Sequence, residues 1–148
     1  MAINQAVCAS FKQELLDGDH DISSDTIKLA LYTNSATLNA NTTAYSASNE
    51  VTDTTGNYSA GGGTLANANV SLTKTNATAS TAFVDFDDLS FSNSTISAQA
   101  ALIYNTSSAN TNAAIAVIDF GGVKTSTSGT FTIQFPTNDA TNAILRIS

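Results

Sequence analysis

Apolar and polar positions divide this chain into one helical stretch followed by a succession of strands. Ile3, Val7, Phe11 and Leu15 recur at every fourth position, with Asn4, Gln5, Lys12, Gln13 and Glu14 between them. This spacing predicts a helix over about residues 2–16 with a single apolar stripe. Gly18 is placed to stop it as a C-cap. The stripe is expected to pack on the protein's own sheet, with docking onto another subunit as the alternative. After an acidic turn at residues 17–21, Ile27, Leu29 and Leu31 alternate with Lys28, Ala30 and Tyr32 as a first strand. Residues 33–55 are polar, and only Leu38, Tyr45 and Val51 can anchor them. They read as a long surface excursion with one short strand near Tyr45 or Val51, and unstructured loops of that length are uncommon and often functional.

Gly56-Asn57-Tyr58-Ser59-Ala60-Gly61-Gly62-Gly63 marks a tight bend or a close approach of backbone to backbone. A weak alternation through Val70 and Leu72 and a clear one through Ala82, Val84 and Phe86 predict two more strands, with Leu89 and Phe91 extending or restarting the second. Residues 86–122 hold the densest apolar runs. Ala100 to Tyr104 and Ala114 to Phe120 are apolar at nearly every position, and a strand of that kind is buried on both faces. These two runs are expected at the centre of the core. Residues 121–129 read as a turn or loop. Phe131, Ile133 and Phe135 form a strand that Pro136 ends, and Ala143 to Ile147 form the last. The predicted fold is mainly β, an antiparallel sandwich or barrel of jelly-roll-like kind, with about seven to nine short strands and one N-terminal α-helix. It is expected as a single domain over residues 1–148, with its β core at about 26–148 and no internal repeat.

Composition narrows the function classes. The chain has 148 residues, 42% of them hydrophobic and only 11% charged, so its exposed faces are expected to be uncharged and polar. The Val, Ile, Leu and Phe clusters argue against disorder. The formal charge of −7 arises from 12 acidic residues against 5 basic ones, Lys12, Lys28, Lys74, Lys124 and Arg146. These five are scattered and form no basic stripe, so direct nucleic-acid binding is not expected. Cys8 is the single cysteine and reads as a small buried hydrophobe. No secretion signal pattern and no apolar run of bilayer length occurs, so synthesis in a cytoplasm without a membrane partner is expected.

Few catalytic arrangements fit one histidine, one cysteine and no tryptophan. His20 reads as a solvated turn histidine. Asp17, Asp19 and Asp21 have the odd-position spacing of a calcium loop, but Ile22 replaces its turn glycine and Lys28 its bidentate glutamate, so an acidic turn is the expectation. Asp85, Asp87 and Asp88 raise a paired-carboxylate site, but no tryptophan platform accompanies them, and they read as exposed or hydrogen-bonded edge carboxylates. The runs Gly61-Gly62-Gly63 and Gly121-Gly122 lack the lysine of a phosphate loop and read as turn devices. The sequons at Asn41, Asn57, Asn69, Asn76, Asn93 and Asn105 follow from the bulk supply of Asn, Ser and Thr. No catalytic residue, cofactor or metal is assigned.

Several segments together resemble a family of small virion proteins of tailed bacteriophages, especially marine and cyanobacterial ones. They are Lys28-Leu29-Ala30-Leu31-Tyr32-Thr33, Glu50-Val51, Gly56-Asn57-Tyr58-Ser59-Ala60-Gly61-Gly62 and Phe86-Asp87-Asp88-Leu89-Ser90-Phe91. Ala101-Leu102-Ile103-Tyr104-Asn105, Ala116-Val117-Ile118-Asp119-Phe120-Gly121-Gly122 and Gly129-Thr130-Phe131-Thr132-Ile133-Gln134-Phe135-Pro136 complete the set. The resemblance implies a non-enzymatic structural protein of the virus particle. Within that class the expected role is capsid decoration or cement: binding to the outer face of the major capsid protein shell, as a homo-dimer or homo-trimer. The alternative is a tail or fibre component that binds host glycans. Independently of the family motifs, Ile3, Val7 and Phe11 on the helix stripe and Tyr45 and Tyr58 on the long excursion are the candidate capsid or subunit interface.

Overall fold

A computed structural model describes residues 2–76 and 79–148; the last two positions of the Asn76 sequon lie outside them. The fold is mainly β and sandwich-like, with one short helix near the N-terminus. The helix is shorter than its stripe predicts. Ala2–Ile3 (β1) and Ala6–Val7 (β2) are strands, and only Ala9–Asp17 (α1) is helical. A spacing of four is even, so residues i and i+4 share a face in a strand as well as in a helix. Tertiary pairing decides between the two. Ala6 and Val7 pair with Val117 and Ala116, and the Cys8 N–H donates to the Ile115 carbonyl at 2.9 Å. Cys8 thus precedes the helix as its N-cap, without a side-chain capping bond. Gly18, at φ 80°, closes the helix, and the Asp19 N–H reaches back to the Glu14 carbonyl.

The main sheet runs β2-β9-β8-β3-β5, with β3 at Ile27–Tyr32, β5 at Gly63–Thr64, β8 at Leu89–Asn105 and β9 at Ala113–Ile133. Residues 100–105 and 113–117 are buried at every position, as expected of strands covered on both faces. The strands are longer than predicted. Leu89 to Phe91 and Ala100 to Tyr104 belong to one strand of 17 residues, and the turn expected at residues 121–129 lies inside one of 21. Bulges explain the difference. Ala100 pairs with Asp119 and Ala98 with Lys124, so Phe120, Gly121, Gly122 and Val123 together oppose Gln99. Gly121 at φ 71° and Gly122 at φ 152° let β9 loop out and regain its register. Asn93 and Ser128, both at φ 45°, sit at two further register shifts.

Both edges of this sheet are covered in part; among the described residues no strand pairs with the outer side of β9 beyond Val117. Along β9 lie β2 and a bridge from Ala44 to Ala113, with the Ala114 N–H donating to Thr43 and the Tyr45 N–H to Asn112. Along β3 lie β5 and a bridge from Tyr32 to Glu50, and the Val51 N–H donates to the Leu31 carbonyl at 2.9 Å. Residues 33–62 therefore form a strap that covers part of two sheet edges, not a free surface excursion. Its short strand is Thr37–Leu38 (β4), which pairs in parallel with β1, not near Tyr45 or Val51. Gly62 allows the strap to close. At φ 70°, a Cβ there would lie 1.8 Å from the Leu29 carbonyl oxygen.

A second sheet runs β10-β7-β6, formed by Asn69–Asn76 (β6), Ala79–Asp85 (β7) and Leu145–Ile147 (β10). Val84 and Leu145 join the same apolar core as the main sheet, and Phe86 packs on Phe135 with ring centroids 5.9 Å apart. Where seven to nine short strands were expected, the described residues hold ten strand segments, from two residues to 21.

Candidate docking surface

The second sheet carries an open edge lined by apolar side chains. Cross-strand register places Val70 beside Val84 and Leu145, and Leu72 beside Ala82 and Ile147. Directly paired residues share a face, as do residues two apart along a strand, so these six side chains form one apolar face. Its inner part, Val84 and Leu145, is buried in the core. Its outer part lies uncovered: Val70 is 55% exposed, Leu72 56% and Ile147 63%. Beside it β6 ends the sheet, with no strand paired to its outer side among the described residues. An edge of this kind can accept a further strand while its apolar side chains bury a contact. Lys74 shares the face and is exposed, a charge of the kind that restrains indiscriminate pairing. The alternation through Val70 and Leu72 was visible in the sequence; that it faces outward follows from which strand is last in the sheet, a property of tertiary pairing.

The residues proposed from sequence lie elsewhere. Ile3 and Val7 are half-buried in β1 and β2 and pack against the core. Phe11 and Tyr58 are each only 5% exposed, which removes their rings from any outward docking surface. Phe11 packs edge-on against His20, with ring centroids 4.9 Å apart. Tyr58 and the half-buried Tyr45 serve a polar hub at Glu50. The Tyr58 hydroxyl donates to Glu50 Oε1 at 2.7 Å and accepts the Leu31 N–H at 2.8 Å. Tyr45 donates to Oε2 at 2.6 Å, and the Gly61 N–H to Oε1 at 2.7 Å. Tyr45 also stacks on Tyr104, whose hydroxyl donates to the Gly61 carbonyl. Burial first, and then the bond to the Glu50 carboxylate, raise the Tyr45 and Tyr58 phenols well above their ordinary range. They remain protonated donors, and the buried carboxylate is satisfied.

A second hub holds the strap from outside. Asp53 accepts hydrogen bonds from the amides of Thr55, Asn57, Tyr58 and Thr95 and from the Thr55 hydroxyl. Desolvation pulls its pKa upward, but the bonds from Thr55, Thr95 and Tyr58 outweigh it and hold the carboxyl well below its ordinary range.

His20 is not a solvated turn residue. Its side chain is fully covered, with Nε2 bonded to Glu14 Oε2 at 2.8 Å and Nδ1 facing the Asn105 amide nitrogen at 2.9 Å. Because that amide donates, Nδ1 accepts and Nε2 carries the proton. Both ring nitrogens are thus engaged. Cys8 is buried as expected, its thiol pushed up to about 11 by burial and then by the Glu14 charge. Asp19 accepts from Asn110, and Asp21 from the backbone and hydroxyl of Ser23. Among the described residues, no three His, Cys, Asp or Glu side chains converge to hold a metal. Asp87 accepts from Asn67, and Asp88 from the Phe135 N–H, as edge carboxylates do. Asp85 is hydrogen-bonded, its Oδ1 accepting the Phe86 N–H, but it is buried and lies on the middle strand of its sheet, not at an edge.

Among the described residues, no helix is long and apolar enough to cross a membrane. Comparison with family models, curated proteins and solved structures finds no match.

Proposed function

We propose that this chain is a non-enzymatic structural protein of a bacteriophage particle, a decoration or cement protein that binds the outer face of the major capsid protein shell. The open β6 edge with its uncovered Val70, Leu72 and Ile147 is the observation that carries this reading. A cement protein needs a rigid body that presents a firm contact to a neighbouring chain. Here the strap covers part of both edges of the main sheet, and β6 offers an apolar edge to a partner. Burying the exposed halves of those three side chains contributes about 1 kcal/mol each. An added backbone ladder supplies orientation, and assembly as a dimer or trimer on a capsid symmetry axis multiplies the contact.

A second reading, a tail or fibre component that binds host glycans, is favoured by one feature. A shallow groove of about 470 Å³ runs along the strap, with Asn39, Asn41, Ser46 and Asn49 among its polar residues and Leu38 among its apolar ones. Its floor includes Tyr32, which is almost wholly covered and offers no aromatic platform for a sugar ring. Binding assays separate the two readings. The purified protein is expected to co-sediment with expanded empty capsids, to raise their resistance to heat, and to leave host cells and immobilised glycans unlabelled. Labelling of cells or glycans without capsid binding would sink the cement reading.

A further inference from the structure

A cleft of about 500 Å³ opens where β7 ends and the chain passes Pro136 toward β10. Asp85, Asp87, Asn67, Asn69 and Asn138 bring five oxygen-bearing side chains to its wall. Two of those oxygens are unusual. Asp85 is only 3% exposed; its Oδ1 accepts the Phe86 N–H at 3.0 Å, while its Oδ2 is buried without a hydrogen-bond partner. Asn138 Oδ1, on the same cleft, is likewise buried and unpartnered. Buried acceptors are almost always paired, and two such oxygens on residues lining one cleft point to an electropositive partner there. The Asp85 carboxylate meets the backbone N–H groups of Phe86 and Ile144, and among the described residues no cationic side chain is bonded to it. Among the described residues the only side chain bonded to Asp87 is the neutral Asn67 amide, and Asp88, close in sequence, adds negative charge.

We propose that this cleft binds a divalent calcium ion, with the Asp85 and Asp87 carboxylates and the Asn138 amide oxygen as protein ligands and water completing the shell. Carboxylate, amide and water oxygens are the ligand set of a hard cation. Calcium fits better than magnesium because the ligands come from a strand end and an irregular segment. Calcium accepts six to eight oxygens in flexible geometry, whereas magnesium demands a tight octahedron. With two carboxylates the site is a weak one, of the kind that responds to millimolar calcium. Its effect is to fasten the segment containing Asn138, which leads into β10, to the end of β7. The ion thereby braces the sheet that carries the exposed edge, and the inference holds whatever that edge binds.

Thermal melts of the full chain, stripped with EDTA and desalted, test this with calcium chloride, magnesium chloride or sodium chloride at matched ionic strength. At tenfold excess over its dissociation constant, calcium is expected to raise Tm by about 3–6 °C. Magnesium should do less and sodium chloride nothing. Asp85→Asn, which keeps the shape and removes the charge, should abolish the calcium response while melting no lower than wild type in EDTA. The exposed Asp87→Asn provides a second test that does not disturb the interior, and calorimetric titration should show its calcium affinity reduced at least about tenfold. The proposal is overturned if wild type shows no calcium-specific shift, if Asp85→Asn retains it, or if Asp87→Asn binds calcium as wild type does.

Discussion

Gly62 and Gly121 are both glycines at positive φ, yet they carry different loads. At Gly62 an added methyl would meet the Leu29 carbonyl oxygen at 1.8 Å, and neither backbone can retreat without breaking the strap from β3. At Gly121 an added methyl meets nothing within 4 Å. Gly62→Ala is expected to destabilise by about 3–5 kcal/mol and Gly121→Ala by about 1 kcal/mol, measured by urea unfolding. Equal costs would show that the strap is not held there. Charge gives a second prediction at this scale. The Asp53 carboxyl is depressed in the folded chain, so its stabilisation is present above the unfolded value, about 3.9, and is lost as pH falls toward the folded one. Asp85 acts in the opposite sense. Burial first, and then Asp88, raise its pKa, so it opposes folding above that raised value, and the opposition fades as acid protonates it. Asp53→Asn should therefore lower Tm at pH 7 and flatten the fall in Tm below pH 4, followed by calorimetry across pH 2–7. An unchanged acid limb would contradict the role of Asp53.

The elements differ in how far they could be read from their own residues. Ala100 to Tyr104 and the first part of the run from Ala114 to Phe120 were legible because two-sided burial writes a continuous apolar run, although Ile118, Asp119 and Phe120 are only half-buried. Gly18 was legible as a stop because it limits the backbone locally; the strand read as ending at Pro136 stops earlier, at Ile133. The N-terminal stretch was not, because its four-residue spacing satisfies a helix and a strand alike, and the choice rests on Val117 and Ala116, far along the chain. Residues 121–129 read as a turn because glycine in a strand marks either a break or a bulge. The partner strand decides which, and here β8 continues past them. The strap hid its role for the same reason. Its anchors are Glu50 and Asp53, polar residues whose value lies in the donors the fold brings to them. At the surface, an alternating strand looks the same whether its apolar face is covered or free, so Val70 and Leu72 gave no sign of the exposed strip.

At the scale of the molecule, a large sheet with partly strapped edges supports a small sheet whose β6 edge is open. The core spans both through Val84, Phe86, Phe135 and Leu145, so the open edge is held on a rigid base. The proposed calcium ion would stiffen the same sheet at its inner end. Such a division suits a protein whose task is to remain folded while binding a neighbour, as decoration of a pressurised shell requires. The most direct measurement is co-sedimentation of the double variant Val70→Asp, Leu72→Asp with expanded capsids, alongside its thermal melt. Both side chains are more than half exposed, so Tm should stay within about 3 °C of wild type while capsid affinity falls at least about tenfold. Full decoration of capsids by the folded double variant would contradict the assignment of the β6 edge as the docking surface.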